Sequence, residues 1–159
     1  MARVAVAVVG AGQCDDETAA LASEIGKLIA ERGAVLITGG STGVMEAASR
    51  GAHDASGLVI GILADGDART ANPWVDVAIP TGMGQLRNGL IVNSAGVVIA
   101  VDGEWGTLSE IALARKIGKP VVGLHTWRVS RDDGGNDDLV RVDTAREAVD
   151  QAFALLVRQ

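Results

Sequence analysis

Short runs of branched apolar residues without polar alternation recur along the chain, and each is followed by a glycine-rich or polar segment. Such runs are typical of strands buried on both faces of a parallel sheet. The predicted strands cover residues 3–9, 34–38, 58–63, 75–79, 97–101, 121–124 and, as a short edge strand, 139–142.

The segments between these runs place apolar residues at helical spacing. In the first of them Leu21, Ile25 and Leu28 share one face, Asp15 can cap the start, and Gly33 follows the end. The predicted helices cover about 16–32, 44–55, 83–94, 107–117 and 145–157. The alternation predicts one α/β domain over residues 1–159, a Rossmann-like doubly wound, mainly parallel sheet with helices on both faces.

Three of the predicted strands are followed by glycine-rich turns, at 10–12, 39–43 and 103–107. Because parallel strands point the same way, all three turns should lie along the sheet edge where open α/β sheets bind ligands. Glycine lets backbone N–H groups approach an anion, and a helix N-terminus attracts negative charge. The pattern therefore predicts a phosphate-bearing ligand, such as a nucleotide, without naming it.

Composition narrows the class of protein. The chain has 159 residues, a net charge of −6 and only 3% aromatic residues. The acidic balance argues against a general nucleic-acid or anionic membrane surface. The single Cys14, with His53 and His125 at no ligand spacing, predicts neither a disulfide nor a metal site. No apolar run approaches the roughly 20 residues that span a bilayer, so we expect a cytoplasmic protein.

The first two turns differ in what they favour. The first, at 10–15, is half of a dinucleotide fingerprint with Asp15 in place of the third glycine, which favours a simple strand-to-helix turn. The second, at 38–45, offers hydroxyl groups and a flexible backbone at a helix start, which favours anion binding. It is not a P-loop, because no lysine follows the glycines.

Several side chains beyond the glycines are candidates for the site, each with a structural alternative. Arg87, whose charge opposes the dipole of its helix, could clamp a phosphate or carboxylate or could be a solvated surface residue. Glu110 could act as an acid, a base or a cation stabiliser, or could merely stabilise its helix. Trp105 could stack on a base or pterin ring, whereas Trp74 and Trp127 are expected to cover the core.

Motifs at 39–45, 51–52 and 106–110 resemble those of one superfamily. The segment Gly-Gly-Ser-Thr-Gly-Val-Met followed by Gly-Ala is similar to its GG-x-x-G-x-M…GA signature. The segment Gly-Thr-Leu-Ser-Glu resembles the end of its PGG-x-GT-x-x-E motif. The superfamily whose motifs these segments resemble is the lysine-decarboxylase-like superfamily. It includes the Lonely Guy phosphoribohydrolases and the molybdenum cofactor carrier proteins. The Arg87-Asn88 pair and the Gly-Thr-Leu-Ser-Glu run are closer to the cofactor-carrier branch.

The resemblance implies a binding or carrier protein for a phosphorylated, nucleotide-like or molybdopterin-type ligand, assembled as a homodimer or homotetramer. The alternative is a nucleoside-5′-monophosphate phosphoribohydrolase that releases free base and ribose 5-phosphate, with Arg87 and Glu110 as catalytic residues. Where the superfamily has PGG, this chain has residues 102–104, Asp-Gly-Glu, and the Glu104 carboxylate could repel a phosphate. The expected ligand-binding residues are Gly10, Gly12, Gly39, Gly40, Ser41, Thr42, Gly43, Met45, Arg87, Asn88, Gly103, Glu104, Gly106, Thr107 and Glu110.

Overall fold

The computed structural model describes residues 2–158 and contains a seven-stranded sheet. Its strands are β1 (Ala5–Gly10), β2 (Val35–Thr38), β3 (Leu58–Leu63), β4 (Val77–Pro80), β5 (Val97–Val101), β6 (Val121–Leu124) and β7 (Val140–Val142). The strands lie in the order β4-β3-β2-β1-β5-β6-β7, and every adjacent pair is parallel. The predicted Rossmann-like α/β fold is therefore confirmed.

Helices cover both faces of this sheet. They are α1 (Asp16–Glu31), α2 (Val44–Asp54), α3 (Asn88–Ser94), α4 (Trp105–Lys116) and α5 (Ala145–Leu156). Alternate residues of β1 enter opposite cores: Val6 and Val8 pack with α1, α2 and α5, whereas Ala7 and Val9 pack with α3 and α4. Burial on both faces explains why the strands read as continuous apolar runs.

Several element boundaries differ from the predictions, and β1, for example, covers residues 5–10 rather than 3–9. The helix predicted over 83–94 begins as a 3-10 turn, Gly84–Arg87, and becomes α-helical only at α3, because Gly84 has a φ of +58°. The strand predicted over 75–79 is displaced to Val77–Pro80, and the proline is tolerated because β4 lies at the sheet edge. Helix α4 starts at Trp105 rather than at residue 107, after an extended Glu104.

The chain order places one crevice at the centre of the sheet. Strands β1 to β4 proceed outward in one direction, and the chain then returns to lay β5 against the other side of β1, with Gly10 opposite Val101. The connections that leave β1 and β5 therefore diverge to opposite faces of the sheet. Ligands of open α/β sheets bind at such a switch point. Within residues 2–158, no helix is both long and apolar enough to cross a membrane.

Candidate functional site

A cleft of about 680 Å³ opens at the carboxyl edge of the sheet, and all three glycine-rich turns contribute to its lining. Its volume suits a small-molecule ligand. Most of the expected ligand-binding residues line it: Gly10, Gly12, Gly39, Gly40, Ser41, Met45, Arg87, Asn88, Glu104, Gly106, Thr107 and Glu110. Thr42, Gly43 and Gly103 do not line it.

The second turn is held open by hydrogen bonds to its own strand and to a residue that the sequence did not single out. The Gly40 N–H donates to Thr38 Oγ1 at 3.0 Å. The buried Asn72 donates from its backbone N–H to the Gly40 carbonyl at 2.8 Å and from Nδ2 to the Ser41 carbonyl at 2.9 Å. These bonds use the carbonyls of the turn, and within residues 2–158 the backbone N–H groups of Ser41 and Thr42 have no partner. The turn thus presents free donors, as an anion requires.

Thr42 and Gly43 join the second turn to the first. Thr42 Oγ1 donates to the Gly12 carbonyl at 2.8 Å, and the Val44 N–H donates to the Ala11 carbonyl at 3.0 Å. Gly43 has a φ of +66°, and a Cβ atom there would lie 2.3 Å from the Ala11 oxygen. These two residues therefore fix the start of α2 against the end of β1.

The N-termini of the helices differ in whether a side chain caps them. Helix α1 is capped by Asp15, whose Oδ1 accepts from the Thr18 N–H at 2.8 Å, and α5 has a capping box of Thr144 and Glu147. In the part of the chain that the structure describes, no side chain caps α2 or α4, and the first turns of both helices line the cleft. Uncapped N–H groups and the helix dipole both attract an anion, so the negative end of a ligand fits at α2 or α4 better than at α1.

Arg87 is a buried residue, so its interpretation as a solvated surface arginine is wrong. Its side chain is only 8% exposed, Nη1 donates to Asn88 Oδ1, and Nη1 lies 3.9 Å from Glu110 Oε1. Its Nε is buried and has no partner among residues 2–158. Burial lowers the pKa of Arg87, and the nearby Glu110 opposes that shift. A buried donor without a partner costs free energy, which an anionic ligand atom could offset.

Gly39 makes the position of this guanidinium possible. A Cβ atom at Gly39 would lie 2.7 Å from Arg87 Nη2 and 2.7 Å from Met45 Sδ. The first glycine of the second turn therefore admits the side chain of Arg87 to the floor of the cleft.

Asn88 links the guanidinium of Arg87 to α4. Its Nδ2 donates to Ser109 Oγ at 2.9 Å, and Ser109 Oγ donates to the Gly106 carbonyl at 2.6 Å. The amide thus connects the arginine to the first turn of α4. Ser109 was not expected at the site, although it stands inside the Gly-Thr-Leu-Ser-Glu run.

Glu110 lies beyond the first turn of α4 and is buried, so stabilisation of the helix dipole does not explain it. Burial raises the pKa of Glu110 from 4.5 to about 7, and the charge of Arg87 opposes that rise. Near neutral pH this carboxyl therefore exists in both protonation states, and it can donate or accept a proton in the cleft.

The rim of the cleft carries Glu104 and an aromatic pair. Glu104 is exposed, and its carbonyl accepts from Trp127 Nε1 at 3.0 Å. Its side chain makes no capping hydrogen bond to any residue between 2 and 158. Trp105 is 75% exposed, and its ring centroid lies 5.0 Å from that of Trp127. Gly103, with a φ of +120°, packs against Thr107 behind the rim. Trp127 packs against the core, as expected, but it also supports Trp105.

The fold and sequence are similar to those of proteins of known structure. The molybdenum cofactor binding protein from the phototrophic bacterium Rippkaea orientalis superimposes with a TM-score of 0.88 at 35% identity, over 98% of this chain and 99% of that chain. The molybdenum cofactor (Moco) carrier protein of Chlamydomonas reinhardtii gives a TM-score of 0.86 at 33% identity, over 99% of this chain and 100% of that chain. The predicted resemblance to the superfamily and its cofactor-carrier branch is thereby confirmed.

Sequence comparison alone leads to a more specific grouping. An uncharacterized protein of Archaeoglobus fulgidus is 49% identical over 119 residues, which are 75% of this chain and 78% of that protein. The model of the SLOG cluster4 family matches residues 3–149. Since that match covers nearly the whole chain and includes every residue of the cleft, this protein belongs to the SLOG cluster4 family.

Proposed function

We propose that this protein binds and carries a phosphorylated pterin of the molybdenum cofactor type, as cargo and not as a resident catalytic group. The observation that carries the proposal is a cleft in which the uncapped N-termini of α2 and α4 meet a buried arginine whose Nε has no partner among residues 2–158. Each of these features favours an anionic ligand. The solved structures with the same fold and about one third identity include proteins named for binding or carrying this cofactor.

The donor set fits such a ligand in three places. A phosphate would be held by the free N–H group of Ser41 and by the start of α2 at Met45, both of which line the cleft. Arg87 would hold a second anionic or carbonyl oxygen at the floor of the cleft, where Gly39 leaves room for its guanidinium. The uncapped start of α4 at Gly106 and Thr107 would bind acceptor atoms on the opposite wall. In this scheme Asn88 and Ser109 act as positioning residues for Arg87.

Co-purification tests the proposal directly. The protein is expressed in cells that synthesise the cofactor, purified without oxygen, then oxidised and extracted, and pterin fluorescence and molybdenum are measured per protomer. We expect pterin with the wild type, a marked loss with Gly39→Ala, and no loss with Gly89→Ala, because a Cβ atom at Gly89 meets open space. Wild-type protein that neither retains a pterin nor takes up added cofactor would overturn the proposal.

A second candidate function, nucleoside-monophosphate phosphoribohydrolase, is favoured by one observation. Glu110 has a raised pKa of about 7 and lies beside Arg87, an arrangement that could stabilise an oxocarbenium-like ribose or position water. The exposed Glu104 on the rim opposes it, because its negative charge would face a substrate phosphate held at α4. Release of free base from AMP or GMP above the level of a Glu110→Gln variant would establish turnover. Equal release by the two proteins would exclude it for those substrates.

A further inference from the structure

Trp105 carries an exposed indole on the rim of the cleft, and this ring takes no part in the phosphate binding proposed above. Trp105 is the first residue of α4, and the residue is 75% exposed although it lines the cleft. Large aromatic surfaces dominate binding energetics when they are covered, and their faces stack on other planar rings. Trp105 therefore offers a ring-sized apolar surface beside the uncapped donors of the same helix.

The orientation of this indole is supported from behind. The ring centroids of Trp105 and Trp127 lie 5.0 Å apart at an interplanar angle of 40°. Trp127 is itself fixed, because its Nε1 donates to the Glu104 carbonyl at 3.0 Å and its ring packs against the core of the α3 and α4 face. Trp127, which contacts Trp105, is thus hydrogen-bonded to Glu104, the residue directly before Trp105. An anchored aromatic side chain loses less conformational entropy on binding than a free one.

The third tryptophan has a different environment. Trp74 lies 5.5 Å from the ring of His53, is only partly exposed, and does not line the cleft. It provides a control for the loss of a tryptophan as such.

We infer that Trp105 is the stacking platform for the planar ring of the ligand and that Trp127 is the positioning residue that holds it. This inference rests on the proposed function and deepens it, because it assigns the ring to the rim and the anionic groups to the floor. The ligand class is then a phosphate that bears a fused heteroaromatic ring, such as a pterin or a purine. A sugar phosphate without a ring would use the same floor and gain nothing from Trp105.

Calorimetric titration with GMP, a phosphorylated pterin and ribose 5-phosphate tests the assignment. Stacking of a base on an aromatic side chain corresponds to a change in affinity of about 5- to 150-fold. Trp105→Ala should therefore weaken GMP and the pterin by about that factor and leave ribose 5-phosphate unchanged. Trp105→Phe should recover most of the loss, and Trp74→Phe should change none of the three affinities.

Gly39→Ala serves as the opposite control, because it disturbs Arg87 and should weaken all three ligands together. If Trp105→Ala leaves the affinities for GMP and the pterin unchanged while the wild type binds both, the platform is refuted and the proposed function stands. If the wild type binds neither ring-bearing phosphate, both proposals are overturned.

A double-mutant cycle tests whether Trp127 acts on ligand binding only through Trp105. Trp127→Ala should weaken GMP and the pterin in the wild-type background and have little effect in the Trp105→Ala background, because it acts only through the other indole. Additive losses in the two backgrounds would show that Trp127 does not position Trp105.

Discussion

The buried carboxyl of Glu110 should make the protein less stable as the pH rises, and Glu110→Gln should remove that dependence. Its side chain is 8% exposed, and burial raises its pKa from 4.5 to about 7. Between these two values the folded state binds a proton at this site that the unfolded state has released. Stability therefore falls as the pH rises through this window, because the unfolded state binds fewer protons than the folded state.

The size of the effect follows from the difference between the two pKa values, 4.5 and about 7. At about 1.36 kcal/mol per pH unit, this difference corresponds to a loss of about 3 kcal/mol. The loss is absent below pH 4.5, develops between pH 4.5 and 7, and is complete above pH 7. A glutamine side chain cannot ionise, so the Glu110→Gln variant lacks this contribution at every pH.

Urea denaturation at intervals between pH 4 and 8 measures this loss of stability. The free energy of unfolding of Glu110→Gln minus that of the wild type should rise by about 3 kcal/mol across this range. Taking the difference removes the contribution of titrating groups that behave alike in the two proteins. A constant cost of leaving Arg87 without its carboxyl partner shifts the difference equally at every pH, so it does not affect the rise. The matched control is Glu24→Gln, at an exposed glutamate on α1, which should give a difference close to zero at each pH.

A difference between Glu110→Gln and wild type that stays constant from pH 4 to 8 would refute the reasoning, since the carboxyl would then have the same pKa in both states. A carbon-13 titration of the side-chain carboxyl gives an independent test. Its midpoint should lie near pH 7, and a midpoint near the ordinary value of 4.5 would contradict the environment that the structure gives it.

Three further predictions address the cleft and its surroundings. Gly39→Ala should weaken a phosphate ligand by about 1.5–3 kcal/mol through displacement of the buried guanidinium, while Gly89→Ala, measured by the same titration and by urea denaturation, should bind normally and be slightly more stable. Glu104→Gly and Glu104→Gln should both tighten binding of AMP and GMP if the carboxylate repels phosphate, and unchanged affinities would show that it does not. Leu90 and Leu113 are exposed on the neighbouring helices α3 and α4, so we expect a homodimer or homotetramer that Leu90→Glu with Leu113→Glu dissociates in light scattering; a wild-type monomer would contradict this.

The fold could be predicted from the sequence because burial on both faces of a parallel sheet leaves a strong local signal. Uninterrupted apolar runs such as Val97–Val101 have few alternatives to a central strand. The predicted boundaries are wrong where a single backbone angle or an edge position determines where an element begins. Gly84, with a φ of +58°, turns the start of the predicted helix into a 3-10 turn, and β4 at the edge lacks the second neighbour that would fix its register.

The site was predictable only in part, for a different physical reason. Glycines mark turns whatever else surrounds them, so the sequence indicates the second turn and the start of α4. Burial of a polar side chain depends on what packs over it, and no local pattern shows that Gly39 admits Arg87 or that Glu110 is sealed beneath the rim. Asn72 was missed for the same reason, since its bonds reach back 31 and 32 residues to the carbonyls of Ser41 and Gly40.

The pattern of satisfied and unsatisfied polar groups separates a ligand site from a merely structural turn. This chain caps α1 and α5 with side chains, and it satisfies the carbonyls of the second turn through Asn72. On the surface of one cleft it leaves the starts of α2 and α4 without a side-chain cap, and at its floor it leaves the buried Nε of Arg87 without a partner, among residues 2–158. A turn that served packing alone would gain stability from a capping side chain, typically by about 1 kcal/mol. These unpaired donors lower the stability of the protein on its own. When an anion supplies the missing acceptors, the same donors form hydrogen bonds, and the free energy of those bonds contributes to the affinity for the ligand.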